Sequence, residues 1–153
     1  MTWYETFLWL HITMAIVWIG GAVMIQAFAL RILAAKDGAR MAEFSRDVEF
    51  IGMRLFTPAS LVLLLTGIGL VLNGNWDWGE PYVSVGLVVW LLSFLTGILY
   101  LGPEGGRIAK AIAADGPESP EAQRRIGNIL RYSRIELLLL LVVVFMMTVK
   151  LGT

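Results

Sequence analysis

Residues 59–72 read ASLVLLLTGIGLVL, residues 73–81 read NGNWDWGEP, and residues 82–101 read YVSVGLVVWLLSFLTGILYL. The two flanking runs contain no charged residue, whereas the segment between them is dense in the glycine, asparagine, aspartate and proline of tight turns. A helix needs about 20 apolar residues to cross a hydrocarbon core of about 30 Å. This stretch therefore predicts a helical hairpin that crosses a membrane.

Two further apolar segments, one towards each end of the chain, extend this pattern. The 153-residue chain is 58% hydrophobic and only 16% charged, whereas soluble domains are about a quarter charged. We therefore predict an all-α fold, a bundle of four transmembrane helices that forms a single membrane domain over residues 1–153. The predicted helices cover residues 6–33, 50–72, 82–101 and 133–151.

Positive charge is distributed unevenly between the connections of these helices. The turn at residues 73–81 contains no lysine or arginine, and its side of the membrane carries only Lys150. Because cytoplasmic loops hold the excess of basic residues, we expect both termini outside and the other two connections in the cytoplasm. The basic residues around those two connections are Arg31, Lys36, Arg40, Arg46, Arg107, Lys110, Arg124, Arg125, Arg131 and Arg134.

Helix start signals predict that two helices extend into the cytoplasm. Asp37 can cap a helix whose apolar residues recur at spacings of three and four. Ser119-Pro120-Glu121 places a capping hydroxyl, a proline and an acid in the order typical of a helix start. We expect Gly105–Glu118 to be the one loose linker and Pro58 to kink the second helix.

The residue inventory excludes several classes of site. The chain has no cysteine and a single histidine, His11, so it has no disulfide, no thiolate metal site and no multi-histidine metal site. It also lacks a glycine-rich phosphate loop and a nucleophile elbow. We expect the basic tips to meet anionic lipid head groups and not nucleic acid. The sequence favours no enzymatic activity.

His11 lies inside the first predicted helix, within the outer leaflet. An ionisable residue inside a membrane is a functional candidate by default. The structural alternative is a neutral imidazole that hydrogen-bonds a hydroxyl on a neighbouring helix, for instance Thr66 or Ser84. The sequence leaves both interpretations open.

Met146 and Met147 lie near the end of the fourth predicted helix, in the same leaflet as His11. Methionine thioethers together with imidazole suit Cu(I) or axial ligation of haem, so these three residues form a candidate metal site. The alternative is that the two methionines fill apolar space. The cofactor therefore stays open between haem b, copper and none.

Arg54 and Glu136 each lie about one turn inside the membrane on the cytoplasmic side, in the second and fourth helices. A charge in lipid needs a partner. Their opposite signs predict that the two residues form a structural ion pair between the helices.

Six short motifs are distributed over nearly the whole chain: Leu10-His11, Trp18-Ile19-Gly20-Gly21, Arg54-Leu55-Phe56-Thr57-Pro58-Ala59-Ser60, Leu65-Thr66-Gly67, Leu101-Gly102-Pro103-Glu104-Gly105-Gly106-Arg107 and Ser133-Arg134. With these motifs the chain resembles a bacterial family of predicted integral membrane proteins known only as a domain of unknown function. That family looks distantly related to copper-resistance D-like membrane proteins and to HemJ-type protoporphyrinogen oxidases. The resemblance implies the bacterial inner membrane as location and haem b ligation through His11.

Three functions are compatible with these observations. The first is a membrane protein that binds haem or a metal through His11. The second is a small transporter or channel assembled as a homo-oligomer, because four helices alone enclose little pore volume. The third is an accessory subunit of a membrane complex without chemistry of its own. The partners expected in every case are the lipid bilayer and a second copy or another membrane protein.

Overall fold

The computed structural model describes residues 2–74 and 76–150, which form helices joined by short turns and contain no strand. Two helices are interrupted by a wider, π-helical turn, Gly52–Phe56 and Gly97–Leu101, which we call the first and the second π-turn. The α-helices are α1 Trp3–Ala35, α2 Gly38–Ile51, α3 Thr57–Asn73, α4 Pro81–Thr96, α5 Gly102–Asp115 and α6 Pro120–Val149.

Four helical stretches are long and apolar enough to cross a membrane, which confirms the predicted architecture. They are α1, the continuous helix Gly38–Asn73, the continuous helix Pro81–Asp115, and α6. Each is longer than its predicted counterpart, and the predicted end of the last helix at residue 151 lies outside the described residues. We call the side with the turns at residues 36–37 and 116–119 the basic side, and the other the opposite side.

The predicted helix starts on the basic side are confirmed by their hydrogen bonds. The Asp37 carboxylate accepts a bond of 3.1 Å from the Arg40 backbone N–H at the start of α2. The Ser119 hydroxyl accepts a bond of 3.3 Å from the Ala122 N–H at the start of α6. Each cap satisfies a backbone donor that has no partner within the helix, so both turns reverse the chain within a few residues.

Each π-turn begins at a glycine and ends two residues before a proline. The Thr57 N–H donates to the Gly52 carbonyl ahead of Pro58, and the Gly102 N–H donates to the Gly97 carbonyl ahead of Pro103. A proline clashes with the carbonyl four residues before it, and a wider turn relieves this clash without ending the helix. The irregularity expected at Pro58 is therefore a π-turn, and a second one accompanies it in the next span.

The expectation of a loose linker at Gly105–Glu118 is wrong, because most of this segment belongs to α5. A β-carbon added at Gly105 would collide with the Ser45 backbone oxygen, so α2 and α5 are in contact there. Gly105 therefore permits close helix packing and does not make the chain flexible. One turn further, α2, α5 and α6 share a buried core of Met41, Ile108, Ile112, Ala122 and Ile126.

Candidate functional site

A cavity of about 150 Å³ lies between the helices, in the half of the bundle nearest the basic side. Both π-turns contribute to its wall, which places the widened turns next to the empty space. Its apolar lining includes Trp18, a buried tryptophan in the middle of α1. The other side chains that decide its chemistry are polar: Gln26, Ser45, Thr57, Ser60, Ser93, Ser133 and Glu136.

Four of the cavity's hydroxyl groups donate hydrogen bonds within their own helix. Such bonds from serine and threonine to a carbonyl of the preceding turn satisfy the hydroxyl proton locally. These hydroxyl groups therefore have little need of a hydrogen bond with a ligand. The bonds run from Ser45 to the Met41 oxygen at 2.8 Å, from Thr57 to Gly52 at 3.0 Å, from Ser60 to Thr57 at 2.8 Å and from Ser133 to Leu130 at 3.2 Å.

Gln26 and Glu136 differ from these hydroxyl groups. The Gln26 side-chain nitrogen is buried and has no hydrogen-bond partner among the described residues. The Glu136 carboxylate has the Ser93 hydroxyl as its hydrogen-bond donor, and none of the ion pairs among the described residues includes it. A carboxylate can accept about four hydrogen bonds, so Glu136 keeps most of its capacity. The cavity thus presents an unused donor and a largely unused acceptor.

The structure does not form the predicted ion pair between Arg54 and Glu136. Arg54 is exposed and its guanidinium lies 5.8 Å from the centre of the Phe50 ring, whereas Glu136 lines the cavity. Arg54 lies within the first π-turn, which changes the direction of its side chain relative to a regular helix. From an exposed position a long arginine side chain reaches the membrane interface, so it has no need of a buried partner.

His11 is held between α1 and α3. Its Nδ1 atom lies 3.0 Å from the Leu63 backbone oxygen and 3.2 Å from the Thr66 hydroxyl. The Thr66 hydroxyl itself donates to carbonyls of its own helix, at 2.7 Å to Val62 and 3.0 Å to Leu63. Nδ1 therefore carries the proton and donates it to the Leu63 oxygen. The interhelical contact with Thr66, one of the two alternatives for this histidine, is present.

The two methionines of the candidate metal site belong to a hydrophobic cluster. Met146 and Met147 pack against the buried residues Val71, Tyr82 and Val83 near the turn on the opposite side. No group of three or more histidine, aspartate or glutamate side chains able to hold a metal occurs in the described parts of the chain.

Sequence reasoning missed Gln26, Ser93 and Glu104. Gln26 is an amide within the long apolar run of α1, a signal that could have been read as a polar group facing other helices. Glu104 is 2% exposed and pairs with Arg125 at 2.6 Å and with Arg107 at 3.2 Å. It joins α5 to α6 just beyond the cavity. It lies one residue before Gly105–Glu118, the segment predicted to be a loose linker.

The fold and the cavity together define a class: a small polytopic membrane protein with an interhelical cavity that combines apolar walls with a few polar groups. No curated protein and no solved structure matches the chain. A family model described as "Predicted integral membrane protein (DUF2269)" matches residues 5–151. The chain belongs to this family, which agrees with the resemblance stated from its motifs.

Proposed function

We propose that this protein binds a small, membrane-soluble molecule in the cavity between its helices. The unpaired Gln26 amide carries the proposal. Leaving a buried donor without a partner costs about 1–3 kcal/mol, and a ligand that accepts its hydrogen bond removes this cost. Ligand pockets are mostly apolar with a small number of placed polar groups, as this one is.

The cavity volume supports a ligand the size of one ring. An engineered protein cavity of about 150 Å³ lined by apolar side chains binds benzene, and the volume here is about 150 Å³. The same volume favours binding over conduction by a single copy, because the cavity occupies one half of the bundle. Transport by an oligomer and an accessory role in a membrane complex are the competing proposals.

Two glycine substitutions test occupancy of the cavity. A β-carbon added at either Gly97 or Gly20 meets no atom within 4 Å, but Gly97 lines the cavity and Gly20 is exposed on α1. The probe is 1,4-dimethylbenzene, added to the protein in nanodiscs at ten times its dissociation constant. Ligand linkage then gives a stabilisation of about 1.4 kcal/mol.

Gly97→Leu fills the cavity and removes this stabilisation, whereas the matched Gly20→Leu variant keeps it. Thermal unfolding with and without the probe measures the difference. Equal stabilisation of both variants would mean that the probe acts from the lipid, and the proposal would fail.

A second candidate function is haem binding through His11. Histidines that ligate a metal through one ring nitrogen almost always donate from the other to a carbonyl or carboxylate. The bond from Nδ1 to the Leu63 oxygen matches this arrangement and leaves Nε2 for iron. His11 would hold the haem iron, and the haem would supply electron transfer. Copper would additionally need Met146 and Met147, which pack in a hydrophobic cluster near the turn on the opposite side.

An absorption spectrum and metal analysis of protein isolated from native membranes test this second candidate. A haem-loaded protein shows a Soret band that His11→Ala abolishes and that Thr13→Ala, which removes a hydroxyl bonded to the Trp9 oxygen of the same helix, leaves unchanged. Colourless, metal-free wild-type protein would refute it. The Met146→Leu and Met147→Leu variants separate copper, which they release, from haem, which they retain.

We also propose the bacterial inner membrane as location, with both termini outside and the protein as a single membrane domain. The uneven distribution of lysine and arginine supports this orientation. Reporter fusions after Gly79 should be active on the outer face and fusions after Gly116 in the cytoplasm. The reverse pattern would overturn the orientation. Cross-linking in native membranes tests the proposed homo-oligomer.

A further inference from the structure

Among the described residues that line the cavity, only two polar side chains have substantial hydrogen-bonding capacity left, and they are of opposite kinds. Gln26 offers an amide donor without a partner, and Glu136 offers carboxylate oxygens that have one donor, the Ser93 hydroxyl. They come from α1 and α6, helices that lie side by side and both line the cavity. A molecule in this space therefore meets a donor and an acceptor at once.

The apolar part of the lining limits the rest of the molecule. Between its polar groups the wall consists of aliphatic and aromatic side chains such as Trp18, Phe56 and Leu140. A charged or strongly hydrated ligand would lose its water there without enough partners, which costs several kcal/mol. A flat ring fits both the volume and the aromatic walls, since aromatic rings contact one another favourably.

We infer that the cavity binds a dihydroxylated aromatic ring, the head-group chemistry of a membrane quinol, in which one hydroxyl donates to Glu136 and the other accepts from Gln26. This inference rests on the proposed function and names its ligand class. A phenolic hydroxyl both donates and accepts, so it matches the two unsatisfied groups without adding a charge. None of the ion pairs among the described residues includes Glu136, so its carboxylate is open to a hydrogen-bond donor from the ligand.

Two probes of nearly equal shape separate the hydrogen bonds from simple cavity filling. Hydroquinone carries two hydroxyl groups where 1,4-dimethylbenzene carries two methyl groups. The affinities of both probes are measured for the full-length protein in nanodiscs, kept anaerobic. Each probe partitions into the lipid to the same extent for every variant, so partitioning cancels when the ratio of the two affinities is compared between variants. Loss of one hydrogen bond lowers the affinity of hydroquinone about tenfold.

The variants are Gln26→Met and Glu136→Met, which replace each polar side chain by an apolar one of similar length. Glu43→Met is the matched control, because Glu43 is an exposed carboxylate on α2 away from the cavity. The inference expects the ratio of hydroquinone to dimethylbenzene affinity to fall about tenfold in each cavity variant and to stay constant in the control. The affinity for dimethylbenzene stays within a factor of a few throughout.

The outcomes distinguish the two levels of proposal. If neither probe binds the wild-type protein, the proposed function and the ligand class both fail. If dimethylbenzene binds and the ratio is the same in all variants, the cavity is a binding site but the dihydroxylated ring is the wrong class. If Gln26→Met fails to fold, Glu136→Met against Glu43→Met still decides the question.

Discussion

Replacing Gly105 by alanine tests the close contact of α2 and α5. A β-carbon at this position would collide with the Ser45 carbonyl oxygen and lie 3.3 Å from both the β-carbon and the backbone nitrogen of Glu49. These are mostly backbone atoms, so relief requires the two helices to separate. Overpacking costs about 1–3 kcal/mol, and alanine returns about 0.5–1 kcal/mol of helix propensity. We expect a net loss of about 1 kcal/mol in the free energy of unfolding.

Gly127→Ala is the matched control for this prediction. Gly127 is an exposed glycine of α6 on the same side of the protein, and an added β-carbon there meets no atom within 4 Å. It should gain about 0.5–1 kcal/mol from helix propensity alone. Reversible unfolding in mixed micelles, followed by circular dichroism, measures both variants. If Gly105→Ala is also stabilised, the segment is not packed against α2 and the original view of a loose linker returns.

Three further outcomes follow from the polar contacts, each measured by unfolding in the same micelles. Glu104→Gln should cost about 2 kcal/mol, because it weakens the charge-assisted hydrogen bond of the buried carboxylate to Arg125, which still pairs with Glu121, and a loss below 0.5 kcal/mol would contradict that pairing. Arg54→Ala and Glu136→Ala should be additive in a double-mutant cycle, because they form no ion pair, and a coupling above about 0.5 kcal/mol would restore the predicted pair. Thr66→Val should cost about 1 kcal/mol by removing the hydroxyl next to the imidazole of α1, and no change would mean that this contact contributes nothing.

The four-helix architecture could be predicted from the sequence because a membrane permits few backbone structures. Every backbone polar group must be satisfied within the span, so a long apolar run becomes a helix. The caps at Asp37 and Ser119 were accessible for the same reason, since side-chain oxygens at those positions have one common use. These predictions depend on local chemistry, which the sequence displays directly.

The predictions that failed concern contacts between helices, which depend on which helix surfaces face each other. Glycine permits both a flexible chain and the close approach of two helices, and only the position of α2 shows that Gly105 has the second role. The pairing of Arg54 with Glu136 assumed regular helices, but the first π-turn alters the direction of side chains around it. Gln26 was not predicted as a site residue because it lacks a charge. Its lack of a hydrogen-bond partner depends on the position of every neighbouring helix.

The two π-turns have a consequence for how this family can vary. One extra residue in a turn offsets the helix faces before and after it by about 100°. The second and third spans therefore each consist of two halves whose phases are set independently, at Gly52–Phe56 and at Gly97–Leu101. Deleting a single residue from the first π-turn would rotate the face of α2 away from α5, and deleting one from the second would rotate the face of α5 away from α2. The other half of the same span, α3 or α4, would stay in register. Insertions and deletions in the middle of a membrane span would disrupt an unbroken helix along its whole length. In this protein their effect is confined to one end of the bundle.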